Sequence, residues 1–294
     1  MWPSWLSRAG FPSGVLNVVN GYGASVGAAL AAHPGVDKIS FTGSTEVGRA
    51  ILTAAAGNLK KVSLELGGKS PVIIFDDADL ELAIPGAAMA AFFLQGQNCM
   101  AGTRLFVQRR VHDRVVSGLE AFAKTLKVGP AIAPDTALGP LISRAHLERV
   151  MSYVRAGREE GAELVTGGRR VGTTGNFLEP TVFANTTSAM RIVREEIFGP
   201  VLSIQAFDGD DLDALGRRVN DTDYGLSGSV WTTNLSRAHR MAHLVRAGQV
   251  SVNCHSAVDI GIPFGGYKQS GWGREYGQAA LDLYTETKAV IVRI

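Results

Sequence analysis

Hydrophobic and polar positions along this chain switch period repeatedly. A short apolar run is followed by a stretch with helical spacing, and the pair then recurs. Val15-Leu-Asn-Val-Val19 reads as a strand, with a glycine turn at Gly21 and Gly23, and Ala24 to Ala32 as an alanine-rich helix stopped near Pro34. Lys38 to Thr42 predicts a second strand, Ser44 or Thr45 to about Ala56 a helix, and Lys61 to Leu66 a third strand. Beyond Gly67 the alternation restarts: strand Pro71 to Phe75, helix Leu80 to Leu94 with Pro85 inside it, strand Leu105 to Val107, helix Val111 to Leu126. Helix Ala145 to Glu160 leads to strand Glu163 to Thr166 and a glycine-rich loop over 167–175. Then come strand Val201 to Phe207, helix Leu212 to Val219, strand Ser229 to Trp231, helix Leu235 to Arg246 and strand Gln249 to Asn253. Strands alternating with helices of this length predict an α/β protein with a parallel sheet. The closing Thr285 to Ile294 alternates apolar and polar residues, the pattern of an edge strand that needs a partner.

Composition narrows this little. The 294 residues suit roughly two domains, and 46% apolar residues supply a sizeable core. A net charge of +2 without charge blocks argues against nucleic acid as a partner. The longest apolar stretch, Ala83 to Leu94, falls short of the ~20 residues of a bilayer span, so no membrane partner is expected. Residues 1–10 carry no apolar core of a secretory signal. Two cysteines far apart, Cys99 and Cys254, suggest no disulfide framework and a reducing, cytoplasmic setting.

Five segments carry candidate chemistry. Phe41-Thr42-Gly43-Ser44-Thr45-Glu46-Val47-Gly48 passes from strand to turn to helix, and the free N–H groups of that helix start suit a phosphate. Taken alone, it is equally a plain helix cap. Leu64-Glu65-Leu66-Gly67-Gly68-Lys69 places a glutamate at a strand's C-terminal end, where open α/β sheets bind ligands. Desolvated there, Glu65 can act as a base near neutral pH; in isolation it is equally a surface glutamate beside a turn. Gln95 to Arg104 holds Cys99 in a loop that a substrate can reach, where N–H donors or a cofactor charge would favour the thiolate. Cys254, within a predicted strand, reads as a buried, inert thiol. The others are Glu195-Glu196-Ile197-Phe198-Gly199-Pro200 and Pro263-Phe-Gly-Gly-Tyr-Lys-Gln-Ser-Gly271.

In this order and at these separations the five segments resemble the aldehyde dehydrogenase superfamily, from about Ala9 to Ile294. The resemblance implies an incomplete Rossmann-like cofactor domain over 1 to about 66 and an α/β catalytic domain over about 67 to 269. A tail over 270–294 would return to the cofactor domain and end in an oligomerisation strand. It implies that Cys99 attacks an aldehyde carbonyl, that hydride passes to nicotinamide, and that Glu65 activates the water that hydrolyses the resulting thioester. The backbone N–H of Cys99 would meet the oxyanion. Presence of the Glu65 base favours hydrolytic oxidation over acyl transfer to coenzyme A. Thr42, Gly43, Ser44 and Gly48 match the segment that meets the cofactor diphosphate, Glu196 the carboxylate on the nicotinamide ribose, and Phe198 a contact at that end. The cofactor is expected to be NAD or NADP, and the assembly a homodimer or tetramer built through the C-terminal strand. His255 to Asp259 resembles members acting on aromatic or aryl-alkyl aldehydes.

Family members carry a long segment ahead of the position matching Ala9, where this chain has residues 1–8. That segment holds early strands of the cofactor sheet, an asparagine of the oxyanion hole and a lysine for the adenosine ribose. A truncated chain is therefore expected, and with it two rivals: a non-catalytic remnant, and a thiol esterase that needs no cofactor. His239 and His243 stand four apart on a helix among arginines and read as a solvated face; no metal site is expected. Met89, Phe92 and Phe93 read as core.

Overall fold

The computed structural model describes residues 2–294. Two short helices, α1 (Trp2–Arg8) and α2 (Ala28–Ala32), precede β1 (Lys38–Thr42), α3 (Thr45–Ala55) and β2 (Lys61–Glu65). The chain continues through β3 (Pro71–Ile74), α4 (Leu80–Phe92), β4 (Arg104–Gln108), α5 (His112–Thr125) and α6 (Arg144–Glu159). Then follow β5 (Glu163–Thr166), β6 (Thr181–Ala184), α7 (Arg191–Arg194), β7 (Val201–Phe207) and α8 (Leu212–Val219). The last part holds β8 (Tyr224–Gly225), β9 (Ser227–Trp231), α9 (Leu235–Leu244), β10 (Gln249–Val252), β11 (Tyr267–Lys268), β12 (Gly271–Trp272) and α10 (Gly277–Asp282). Among the described residues no helix is long and apolar enough to cross a membrane.

Most of these strands form one seven-stranded sheet of order β10-β9-β3-β4-β7-β6-β5, parallel except for the edge pair β5–β6. Its central strands are apolar on both faces, as a sheet covered by helices on each side requires. Val72, Ile74, Leu105 and Val107 point to the side where α4 and α5 bury Ala83, Ala87, Ala91, Val115 and Leu119. Ile73, Phe75 and Phe106 point the opposite way, onto α8 and α9 through Leu212, Leu215, Val219 and Met241. Pro85 is tolerated inside α4 because the carbonyl it leaves unpaired belongs to exposed Glu81.

A smaller sheet of order β1-β2-β12 carries the first part of the chain. Its β1 and β2 are parallel, and β12 returns from the far end of the sequence to pair antiparallel with β2, Gly271 opposite Glu65. Residues 66–70 bridge the two sheets and are buried throughout. Ser270, fully buried, pins this bridge: its Oγ donates to the Gly67 carbonyl at 2.6 Å and accepts the Gly225 N–H at 3.0 Å. Its carbonyl accepts the Leu66 N–H. Arg104 holds the same segment from below, donating through Nε to the Lys69 carbonyl at 2.9 Å.

Several expectations are corrected. Val15 to Val19 forms no strand; Val15, Leu16, Val18 and Val19 are exposed, and among the described residues the only strand beside β1 is β2. Thr285 to Ile294 has the alternation of a strand but no ladder partner among the described residues. Extended propensity does not complete a strand without a neighbour to accept its hydrogen bonds. Cys254 is exposed, not buried. The strand stops at Val252, and Asn253 takes a left-handed backbone (φ 53°) held by hydrogen bonds in both directions with Thr232. Phe92 joins the core, but Met89 and Phe93 do not, because α4 packs on its alanine face.

The Ser270 pin yields a prediction. Ser270→Ala leaves a buried carbonyl and a buried N–H without partners, at a cost of roughly 1–3 kcal/mol. Thermal denaturation should show a midpoint lower by several degrees. An unchanged midpoint would show that the two sheets are held together elsewhere.

Candidate functional site

The bridge between the sheets is also where the candidate residues meet. After α4 the backbone makes a tight left-handed turn at Leu94 and Gln95 and delivers Cys99 beneath residues 66–70. Asn98 folds its side chain over the next turn, so that Oδ1 accepts the Met100 N–H at 3.0 Å and the Cys99 thiol at 3.8 Å. The two bridge glycines are in close contact with what they face. A Cβ on Gly67 would collide with the Glu196 carboxylate, and one on Gly68 with the Cys99 carbonyl. The Gly68 N–H donates to Glu196 Oε1 at 2.9 Å. Cys99, Glu196 and the end of β2 with Glu65 are thus drawn to one point. Glycine is required there by the approach of backbone to backbone and carboxylate.

Charge at this point is unbalanced. Glu65 is only 4% exposed, and its Oε1 has no partner among the described residues. Burial pushes its carboxyl up from 4.5 to about 7; the Glu275 and Glu196 carboxylates add to that, while the adjacent Cys99 thiol opposes it. Burial, then the charge of Glu65, pushes the Cys99 thiol up to about 12. The Met100 N–H pulls the thiol pKa down, as expected of a local donor, but burial and Glu65 outweigh it, so these surroundings favour the neutral thiol. Burial raises Glu196 as well, against the Gly68 N–H and the charge of Lys69.

The cofactor candidates lie on the same side. Gly43 donates its N–H to the Glu65 carbonyl at 3.1 Å, so the turn after β1 abuts the end of β2. Ser44 caps α3, accepting the Val47 N–H at 3.3 Å, and Gly48 is buried against Leu66. The first N–H groups of such a helix have no internal partners and face outward. Thr42 is exposed, 3.5 Å from Glu275 Oε1 through its hydroxyl. Phe198 is 37% exposed in a left-handed backbone (φ 58°), its carbonyl bonded to His146 at 2.6 Å. Helix start, capping hydroxyl and exposed aromatic suit a dinucleotide laid from α3 toward Glu196. His239 and His243 are exposed on α9, and no cluster of three potential metal ligands occurs among the described residues.

Sequence reasoning did not single out Asn98 or Glu275 for this site, and took His255 only as the start of a segment bearing on the aldehyde. Asn98 stands next to Cys99 in an Asn–Cys pair that reads as a turn, which is a usable signal. Glu275 reaches the site only through long-range packing and leaves no local signature.

The aldehyde dehydrogenase family model matches residues 4–290. The chain belongs to the aldehyde dehydrogenase family. It is 49% identical over 293 residues to an aldehyde dehydrogenase of Davidiella tassiana, covering 99% of this chain and 58% of that one. With a betaine aldehyde dehydrogenase of Mesorhizobium japonicum it shares 47% over 290 residues, 97% of this chain and 59% of that one. Among solved structures, the NAD+ complex of an aldehyde dehydrogenase from Bacillus cereus superposes with a TM-score of 0.96 at 46% identity. That match covers 99% of this chain and 59% of the other. This family member therefore has the aldehyde dehydrogenase fold and spans about 58% of the length of the relatives it matches.

The raised carboxyl of Glu65 makes stability depend on pH with a defined sign. Between 4.5 and about 7 the folded chain keeps a proton that the unfolded chain has released. The group's contribution is complete at acid pH and is lost as pH rises through about 7. Glu65→Gln removes that loss. Its thermal midpoint should climb relative to the parent chain between about pH 4.5 and about pH 8. A difference that stays flat across this range would contradict a desolvated Glu65.

Proposed function

We propose that this chain carries the reacting groups of an NAD-dependent oxidation of an aldehyde to a carboxylic acid. The supporting observation is the meeting of a neutral thiol, an unpartnered buried carboxyl and a second carboxylate at one glycine bridge. Cys99 Sγ attacks the aldehyde carbon while Glu65, whose Oε1 is unoccupied and which titrates near 7, takes the thiol proton. The Cys99 backbone N–H, without a partner among the described residues, meets the developing oxyanion. When bound, NAD supplies a positive ring and a two-electron acceptor for the aldehyde hydrogen. Cys99 then holds the acyl group as a thioester, and Glu65 passes its first proton to solvent. In deacylation Glu65 takes a proton from the attacking water and returns it to the sulfur as the acid leaves. The sum is aldehyde, water and NAD+ to acid, NADH and a proton.

In this reading Thr42, Gly43, Ser44 and Gly48 border the diphosphate, Glu196 accepts from the nicotinamide ribose, and Phe198 lies against that end. NAD is preferred to NADP because the solved relatives described with a nucleotide hold NAD+. The 285–294 segment is assigned to pairing with a second copy, since its alternating pattern has no ladder partner among the described residues. Residues 1 to about 66 with 270–294 are assigned to the cofactor part, and about 67 to 269 to the catalytic part. That division follows the two sheets. The substrate class is an aldehyde, with aryl-alkyl aldehydes the first to try. Two free cysteines suit a reducing, cytoplasmic setting.

The test is NAD reduction by the purified chain over a panel of aldehydes. Turnover should vanish in Cys99→Ala. In Glu65→Gln steady turnover should fall by about 10²–10⁴, the usual share of a general base. If Cys99 is soluble, folded and alkylatable but NAD neither stabilises the chain nor is reduced, the chain is a non-catalytic remnant. Cys99-dependent ester turnover that ignores nucleotide would make it a thiol esterase.

A further inference from the structure

We propose that His255 is a positioning residue for Cys99, holding the nucleophile loop through the Met100 carbonyl. The inference rests on Cys99 as the reacting group and on no other part of the reaction. The turn at Asn253 throws Cys254 outward and His255 inward. There the imidazole spans two elements: Nδ1 lies 2.9 Å from Ser229 Oγ on β9, and Nε2 lies 2.8 Å from the carbonyl of Met100.

Chemistry fixes the direction of both bonds. A carbonyl only accepts, so Nε2 carries the proton and donates to Met100. The lone pair on Nδ1 then accepts from the Ser229 hydroxyl. The neutral ring uses both nitrogens, and burial holds its pKa below the ordinary histidine value. The ring also packs against the backbone just beyond: a Cβ on Gly102 would stand 3.1 Å from Cε1.

This contact completes a three-point grip on the nucleophile loop. Asn98 Oδ1 takes the Met100 N–H, Gly68 lies against the Cys99 carbonyl, and His255 takes the Met100 carbonyl. The two peptide groups that follow Cys99 are therefore both held, the first by Asn98 and the closeness of Gly68, the second by His255. Without His255 the Met100 carbonyl would have to turn toward solvent, and the thiol would swing away from Glu65 and Glu196.

The experiment uses a Cys254→Ser background, in which Cys99 is the sole thiol of a chain with two cysteines. Iodoacetamide alkylation is followed across pH with no aldehyde or nucleotide present, so it reports on this loop whether or not the chain turns over substrate. His255→Leu keeps bulk and removes the donor. Its alkylation should rise about tenfold near neutral pH and titrate closer to an ordinary thiol, at about 8.5. His255→Gln places an N–H donor at the same reach and should keep the parent profile. Ser229→Ala, a small truncation that leaves the fold intact, should shift the profile in the same direction as the leucine variant, and decides the matter if that variant does not fold. A folded His255→Leu or Ser229→Ala variant with the parent profile overturns the proposal. So does a glutamine variant as perturbed as the leucine one.

Discussion

The closeness of the Gly67–Gly68 backbone to its surroundings is the constraint on which the rest of the structure depends. One glycine touches the Glu196 carboxylate and the other the Cys99 carbonyl, with no room for a methyl group at either. Because the bridge leaves β2 of the small sheet and enters β3 of the large one, the same contact sets the spacing of the two sheets. Fastening follows from it. Ser270 pins the bridge from one side and Arg104 from the other, each through main-chain groups that burial would otherwise leave unpaired.

The electrostatics of the site follow from the same crowding. A carboxyl with a bare oxygen inside a protein is costly, and Glu65 answers by holding its proton to about 7. Below the bridge the sign is reversed. Lys69 is fully buried, its Nζ without a partner among the described residues, and its pKa falls to about 7 through burial and then the repulsion of Arg104. An acid and a base near neutrality thus flank one short segment. Protonation at such a point is cheap to change, which is the property a proton-transferring residue needs.

What the sequence made legible depends on range. Helices with a clear apolar stripe or a cap were readable within a residue or two, as were the apolar central strands. The helix start at Ser44 is visible because the cap that forms it is local. β6 escaped because Thr181–Ala184 is short and follows a proline, leaving little pattern to read. Val15 to Val19 and Thr285 to Ile294 show the opposite: the pattern is present, but no ladder partner for it lies among the described residues. At the site, Glu65 and Cys99 could be named from their segments together, whereas their perturbed protonation could not. That perturbation comes first from burial, and then from carboxylates brought near only by folding: Glu275 and Glu196 beside Glu65, and Glu65 and Glu196 beside Cys99.

The division of labour between the sheets carries a last consequence. Glu65 ends a strand of the small sheet, Cys99 precedes a strand of the large one, and Glu196 comes from the connection between β6 and β7. No single element holds two of them, so their mutual geometry is only as firm as the seam. Residues 264–275 form that seam. Gln269 accepts from Thr45 and Arg49 on α3, Ser270 meets Gly67 and Gly225, and Trp272 donates to the Val62 carbonyl on β2. Glu275 and Phe264 then close the segment on itself with a pair of backbone hydrogen bonds. A loop with this many attachments fixes a hinge that two separately folded sheets would otherwise have. Small displacements at reacting atoms are costly in rate. The Pro263–Gly271 motif therefore bears on the chemistry by keeping a base and a thiol from different sheets in register.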